Sequence, residues 1–180
     1  MGFTVRTATV DDAEGVAETH VRTWQHAYRG LMPDETLDAL DPVAAARLRR
    51  QHISEVGPGQ HWLVAEDSGT IVGFVCFGPE NEEGSTGGEI YALYVRPAYQ
   101  GHGIGWALTD AAVAQLHAAG RHPVRLWVLG SNERTRRWYE RYGFVVDGRT
   151  GSHTVERAGQ PTLDLPTVRY VLDRPGDFRR

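Results

Sequence analysis

Gly101, Gly103 and Gly105, in the run Gln100-Gly101-His102-Gly103-Ile104-Gly105-Trp106, stand between an apolar stretch and a helical pattern. Strand, glycine turn, helix start is how a backbone makes an anion site. Glycines let the main chain approach a ligand, and the unpaired N–H groups of a first helical turn point at it. The run therefore predicts a phosphate-bearing ligand. Other chemistries are thinned out by what is missing. The chain has no lysine, and all 19 of its Lys and Arg residues are arginine. That excludes a Walker A loop and Schiff-base catalysis. Cys76 is the single cysteine, so there is no internal disulfide, and its place within Ile71–Phe77 reads as a small buried hydrophobe. The 8 histidines show no H-E-x-x-H spacing, His117 and His122 being separated across a glycine, and no metal is expected.

The elements that must hold this site follow from periodicity. Phe3–Ala8 reads as a first strand, and Asp11-Asp12 as a helix start. Ala13, Val16, Ala17, His20, Val21, Trp24 and Ala27 form one helical face, with His20 read as a packed core residue. Short helices begin at Pro33 and Pro42. Two strands, His61–Glu66 and Ile71–Phe77, flank a hairpin turn at Asp67–Thr70. Pro79–Gly88 reads as an exposed loop and Glu89–Val95 as the next strand. A helix from Gly103 ends near Gly120. Val124–Leu129 alternates poorly and reads as a buried strand. Glu133–Tyr142 is helical and stops at Gly143. Phe144–Val146 and Val168–Leu172 close the pattern, with Gly148–Pro166 loop-like or a hairpin. Strands and helices in this order predict a mixed sheet with helices on its faces.

At 180 residues, 41% hydrophobic and 23% charged, the chain reads as one domain over 1–175 with a tail at 176–180. The net charge of -4 argues against non-specific nucleic-acid binding. No apolar run matches a membrane span or an export signal, so no membrane partner and a cytoplasmic location are expected.

Two segments together resemble the GCN5-related N-acetyltransferases, which move an acetyl group from acetyl-CoA to an amine. The acetyl-CoA motif Q/R-x-x-G-x-G/A is matched at each specified position by Gln100–Gly105, after the lead-in Leu93-Tyr94-Val95-Arg96-Pro97. A second motif, N-x-x-A-x-x-F-Y-E-x-x-G-F, maps onto Asn132–Phe144, with Asn132, Tyr139, Glu140, Gly143 and Phe144 matching. Thr135 stands for the alanine and Trp138 for the phenylalanine. The glycine spacing also differs from the Rossmann G-x-G-x-x-G. The resemblance implies an α/β (α+β) acyltransferase fold: a mixed, mostly antiparallel twisted sheet of about six or seven strands with about four helices.

It implies acetyl-CoA as co-substrate and direct attack by the amine in a ternary complex. The main-chain N–H groups of Gly101, His102, Gly103, Ile104, Gly105 and Trp106, after Gln100, would bind pyrophosphate; the competing role is a tight turn that packs the helix. Leu93, Tyr94 and Val95 would line the pantetheine arm, bonded to backbone at Leu93 and Val95, with a main-chain N–H near Val95 facing the carbonyl oxygen. Asn132 would contact the arm, cap its helix, or both. Arg96 or the arginines near Arg134 would meet further phosphates or remain surface charge. A protonated amine needs a base, and Glu89 is the candidate, against a solvent-facing strand end. Tyr139 matches the acid that protonates the thiolate, with Tyr142 and Tyr91 as rivals and packing as its other role. Trp24 and Tyr28, four apart in a W-x-x-A-Y-R-G-x-x-P stretch, together with Tyr91, either line the acceptor pocket or belong to the core; His153 and Glu156 are further candidates. The acceptor is read as a small-molecule primary amine. Alternatives are a protein N-terminus or lysine, and a catalytically silent acyl-CoA-binding module. A homodimer is the expected assembly.

Overall fold

The computed structural model describes residues 2–157 and 160–173, the side chains at 156, 157, 160 and 161 excepted. The expected tail at 176–180 lies outside the described residues. In chain order the elements are β1 (Thr4–Thr7), α1 (Ala13–Ala27), α2 (Asp34–Asp38), α3 (Pro42–Ser54), β2 (His61–Asp67), β3 (Thr70–Pro79), β4 (Gly88–Val95), α4 (Ile104–Ala118), β5 (Val124–Leu129), α5 (Glu133–Tyr142), β6 (Val145–Arg157) and β7 (Gln160–Leu172). The strands form one seven-stranded sheet ordered β1-β2-β3-β4-β5-β7-β6. Every neighbouring pair is antiparallel except β4–β5, whose ends are joined through α4. The mixed, mostly antiparallel sheet with helices on both faces is the architecture expected from the sequence.

Each face carries a core. On one, α4 and α5 bring Leu108, Leu116, Tyr139 and Tyr142 onto Phe77, Ile90, Leu126 and Tyr170. Side chains of that size stabilise by roughly 1.5–3 kcal/mol each when fully buried. On the other face, α1 and α3 bring Ala13, Val16 and Ile53 onto Trp62, Phe74 and Cys76. The β2–β3 hairpin turns at Ser68 and Gly69, with φ of 51° and 79°, the twist that paired strands require. Gly143 ends α5 at φ 118° and accepts the chain reversal into β6.

Two expectations need correction, and a third resolves to the hairpin among its two alternatives. Gly148–Pro166 is mostly paired strand, since β6 and β7 run well into it. Its Gly-, Ser- and Thr-rich sequence has no apolar period, and the order comes from the backbone ladder, such as His153↔Leu165 and Ser152↔Pro166. Val124–Leu129 does alternate: Val124, Leu126 and Val128 are buried, while Trp127 is 40% exposed on the opposite face. The Pro79–Gly88 loop is not wholly exposed. The Glu80 side chain is buried, held by Arg125, Arg169 and the Ser85 hydroxyl.

Candidate functional site

The central sheet is open along part of one seam. β4 and β5 pair only at Gly88↔Val124, Glu89↔Arg125 and Ile90↔Leu126, although both strands continue. The cause is a bulge in β4. Phe77 pairs with Ile90 and Cys76 with Ala92, so Tyr91 is an extra residue without a partner on β3. After it, Leu93 and Val95 face the α4 side, and Tyr94 faces the α1 side. The Arg96 N–H bonds the Val72 carbonyl on β3. By alternation, the polar groups of Leu93 and Val95 point the other way, into the seam. The Val95 carbonyl there accepts from Gln100 Nε2 at 3.1 Å and Thr23 Oγ1 at 3.2 Å.

At the wide end of the seam α4 begins. Gly101 and Gly103 adopt φ of 83° and 82°, the left-handed region, which turns the loop back and aims its amides outward. The first helical bond is Ala107 N–H to the Gly103 carbonyl. No N–H from Gly101 to Trp106 has an acceptor among the described residues. A Cβ on Gly105 would lie 3.3 Å from the Trp138 ring, so this glycine lets α4 close on α5. Gln100 accepts from the exposed Arg134 at 3.1 Å, tying the loop to α5. Arg96 is engaged elsewhere: it donates to Thr19 and Glu18 on α1 and is not free for a phosphate. Asn132 is buried and caps α5 through Thr135 N–H at 3.1 Å.

The candidate acid–base groups differ in how committed they are. The Tyr142 hydroxyl donates to Asp110 at 2.7 Å. The Tyr91 hydroxyl donates to the Pro79 carbonyl, and burial pushes its pKa up to about 12. The Tyr139 hydroxyl has no hydrogen-bond partner among the described residues. Burial, then Tyr94, holds its pKa above the ordinary phenol value, so it stays protonated. Glu89 lies half-buried where the seam closes, in register with Arg125 and on the face shared with Tyr91. Burial raises its pKa, against the Asn81 N–H that donates to it at 3.1 Å. Buried Glu80 nearby raises it further, while Arg169 and Arg125 lower it.

The α1 side is walled by aromatic rings. Trp24 packs on Tyr28 at 5.0 Å, His20 at 5.1 Å and His153 of β6 at 5.8 Å, and His20 meets Tyr94 at 5.0 Å. Trp24, Met32 and Leu37 pack onto Leu129 and Leu165, so the α1–α2 corner closes against the β6–β7 hairpin. Trp24 is thus largely core, with its indole N–H buried and turned to Tyr94, and Tyr28 sits beside it toward Tyr94 and Asn132. Tyr91 does not join this group. The side chain of Glu156 lies outside the described residues.

Residues 19–144 match the acetyltransferase (GNAT) family. This chain belongs to the GNAT family. A protein of Mycobacterium tuberculosis named as a probable N-acetyltransferase is 31% identical over 147 residues, 81% of this chain and 82% of its own length. A mycothiol acetyltransferase of Propionibacterium freudenreichii is 36% identical over 132 residues, which span 73% of this chain but only 39% of that protein. Among solved structures, the PaiA N-acetyltransferase of Thermoplasma acidophilum in complex with coenzyme A superposes with a TM-score of 0.71 at 21% identity. That match covers 93% of this chain and 98% of the other. An acetyltransferase of Salmonella typhimurium, solved with acetyl-CoA, gives 0.67 at 21%, covering 98% and 99%.

In this GNAT chain the motif-bearing residues fall around one seam, while two nearby side chains carried no motif. Trp127 stands on the open face of β5, and Arg49 of α3 comes up beneath Tyr94. The signal for Trp127 was the strand period, and for Arg49 the helical one. Among the described residues no three His, Cys, Asp or Glu side chains gather as a metal set. A cleft of about 600 Å³ between α1 and α3 lies apart from the seam and is wide open. Arg50 pairs with Glu14 across it, and Arg22 with Glu18 along α1.

Proposed function

We propose that this GNAT chain is an acetyl-CoA-dependent N-acetyltransferase acting on a primary amine of a small molecule by direct attack. The observation that carries the reading is the half-open β4–β5 seam, with free amides at its wide end and an unengaged phenol, Tyr139, beside it. Acetyl-CoA as substrate supplies the activated acetyl carbon and a thiolate leaving group. The amides of Gly101 to Trp106 receive the pyrophosphate at the start of α4. Leu93 and Val95 offer strand-like bonds to the pantetheine arm, and one of their N–H groups faces the oxyanion that forms as the amine adds. Glu89 takes the proton of the attacking ammonium, directly or through a water. As the C–S bond breaks, Tyr139 donates its proton to the sulfur, and solvent returns one to the phenolate.

The fit of the seam to an extended arm rests on the same features: unpaired strand edges and a loop into which Cβ atoms at Gly101 and Gly103 meet nothing within 4 Å. The closed α1–α2 corner against the β6–β7 hairpin supports a small acceptor over an extended peptide. A cytoplasmic location and a homodimer belong to the same proposal, and light scattering tests the latter.

The test is thermal stabilisation by acetyl-CoA, followed by thiol release over a panel of amines. At a hundredfold excess over the dissociation constant, stabilisation of about 2.7 kcal/mol is expected. No stabilisation at saturation refutes the co-substrate. Stabilisation without thiol release from any amine or peptide makes the chain a binding module.

A further inference from the structure

Helix α3 carries an arginine where its pattern demands an apolar residue. Ala46 and Ile53 are the buried positions of α3, and Arg49 lies between them at the helical spacing, on the inward stripe. Val43 and Leu48, 65% and 48% exposed, face outward instead. The Arg49 guanidinium is therefore carried in against the sheet, over the Trp62 ring at 5.9 Å from its centroid. Its surroundings are Cys76, Tyr94, His20 and His52.

Among the described residues no carboxylate answers this charge. Arg49 makes no ion pair among the described residues, and apart from the Trp62 ring its side-chain partner there is a distant one, 3.4 Å to His52 Nδ1. Its Nε is buried without a hydrogen-bond partner. The neighbouring arginine, Arg50, by contrast pairs with Glu14. A half-buried guanidinium lacking a carboxylate partner carries an uncompensated desolvation penalty. Burial lowers the pKa of Arg49, and the acids nearest it, Tyr94 and Cys76, are neutral at pH 7. Around the same tyrosine, His20 Nδ1 is also buried without a hydrogen-bond partner among the described residues, and the Trp24 indole is turned to Tyr94 itself. Burial holds His20 down to about 3, so it adds no charge. Among the described residues, one cation and no carboxylate thus collect at Tyr94, the residue between the two whose backbone lines the seam.

We propose that Arg49 anchors a carboxylate on the acceptor, so that the substrate class is an amine that also carries one planar anionic group. A single guanidinium without a second cation suits a monoanion, and its donor fork suits a carboxylate. The acceptor then lies between α3 and the seam, its carboxylate at Arg49 and its amine toward the thioester. The inference rests on the N-acetyltransferase reading for its direction of binding.

The experiment uses the full chain with acetyl-CoA and a ladder of amino acids of increasing amine–carboxylate spacing, each paired with its uncharged carboxamide. At the best spacing, kcat/KM for the acid exceeds that for the amide by about 10- to 100-fold, the worth of a charge-assisted hydrogen bond. That ratio falls to near one in Arg49→Gln and returns in part in Arg49→Lys. A purely structural arginine would lower melting temperature on substitution. Here the ligand-free Arg49→Gln protein melts no lower than the parent. Equal rates for acid and amide in the parent, or an unchanged ratio in Arg49→Gln, overturn the proposal. Should no amine turn over, the N-acetyltransferase reading falls, and a second measurement still decides the anchor. Titrating the N-acetylated acids into CoA-saturated protein, with tryptophan fluorescence as the readout, gives a saturable change that Arg49→Gln abolishes. A flat titration, or one unaffected by the substitution, overturns the anchor.

Discussion

Tyr139, Tyr142 and Tyr91 offer the same phenol with different commitments, and the difference decides which can take part in proton transfer. Tyr142 is engaged with Asp110 and Tyr91 with Pro79, whereas Tyr139 brings an unengaged hydroxyl to the seam. Tyr139→Phe is expected to lower kcat about 100-fold while leaving the acetyl-CoA dissociation constant unchanged. Single-turnover rates beside calorimetry separate the two, and a loss confined to binding would make the ring a packing residue. Glu89 calls for a different experiment because its role depends on charge. Burial raises its pKa, so the carboxylate forms at a higher pH than an ordinary glutamate's. A base must be ionised, so kcat/KM rises with pH through that elevated value. Glu89→Gln should remove this limb and cost on the order of 100-fold at neutral pH, the deficit closing as the amine, pKa ~10, deprotonates unaided. A variant that keeps the wild-type pH profile would exclude Glu89 as the base. Tyr139 and Glu89 were legible in the sequence through motif position and strand placement. Their surroundings were not: Asp110 comes from a helix distant in sequence, and Pro79 ends β3 where composition alone marks an exposed loop.

At the scale of elements, the β4 bulge and the α4 start were unequally legible. The glycine spacing announces the helix start because only glycine takes φ near 82° without strain. Gly103→Ala would force an L side chain into that region at a cost of about 1–2 kcal/mol, and the freed amides would lose their common aim. Calorimetry should show acetyl-CoA binding about tenfold weaker. Unaltered affinity would mean that the loop only packs the helix. The bulge leaves no comparable mark. Nothing in Ile90-Tyr91-Ala92 distinguishes a paired residue from an extra one, because the irregularity is decided by how Cys76 and Phe77 meet β4. The β6–β7 hairpin stayed one of two readings for a related reason. Its strands are held by each other's backbone, and the outer one is almost wholly exposed, so hydrophobic period had little to report.

Across the whole molecule, order of elements was enough to predict a mixed sheet clad by helices, since each periodic segment needs a partner layer. Charge placement was not. Glu80, Arg125, Arg169 and Asp147 form one ion cluster beneath Glu89, drawn from a loop and three strands that sequence distance keeps apart. The seam ties these scales together, and it has an end. Beyond the bulge β4 and β5 are zipped at Ile90 and Leu126, both almost fully buried. On the proposed reading, an arm entering from the α4 side would meet a fixed stop there, and the room left past the thioester would measure the acyl group. Chain-length selection follows: acetyl-CoA should be turned over fastest, propionyl-CoA more slowly and butyryl-CoA least, each added methylene being worth ~1–3 kcal/mol where a pocket cannot yield. Replacing Ile90 with alanine would lengthen the measure, and a profile shifted toward longer acyl donors would reveal the closed end of the sheet as the ruler.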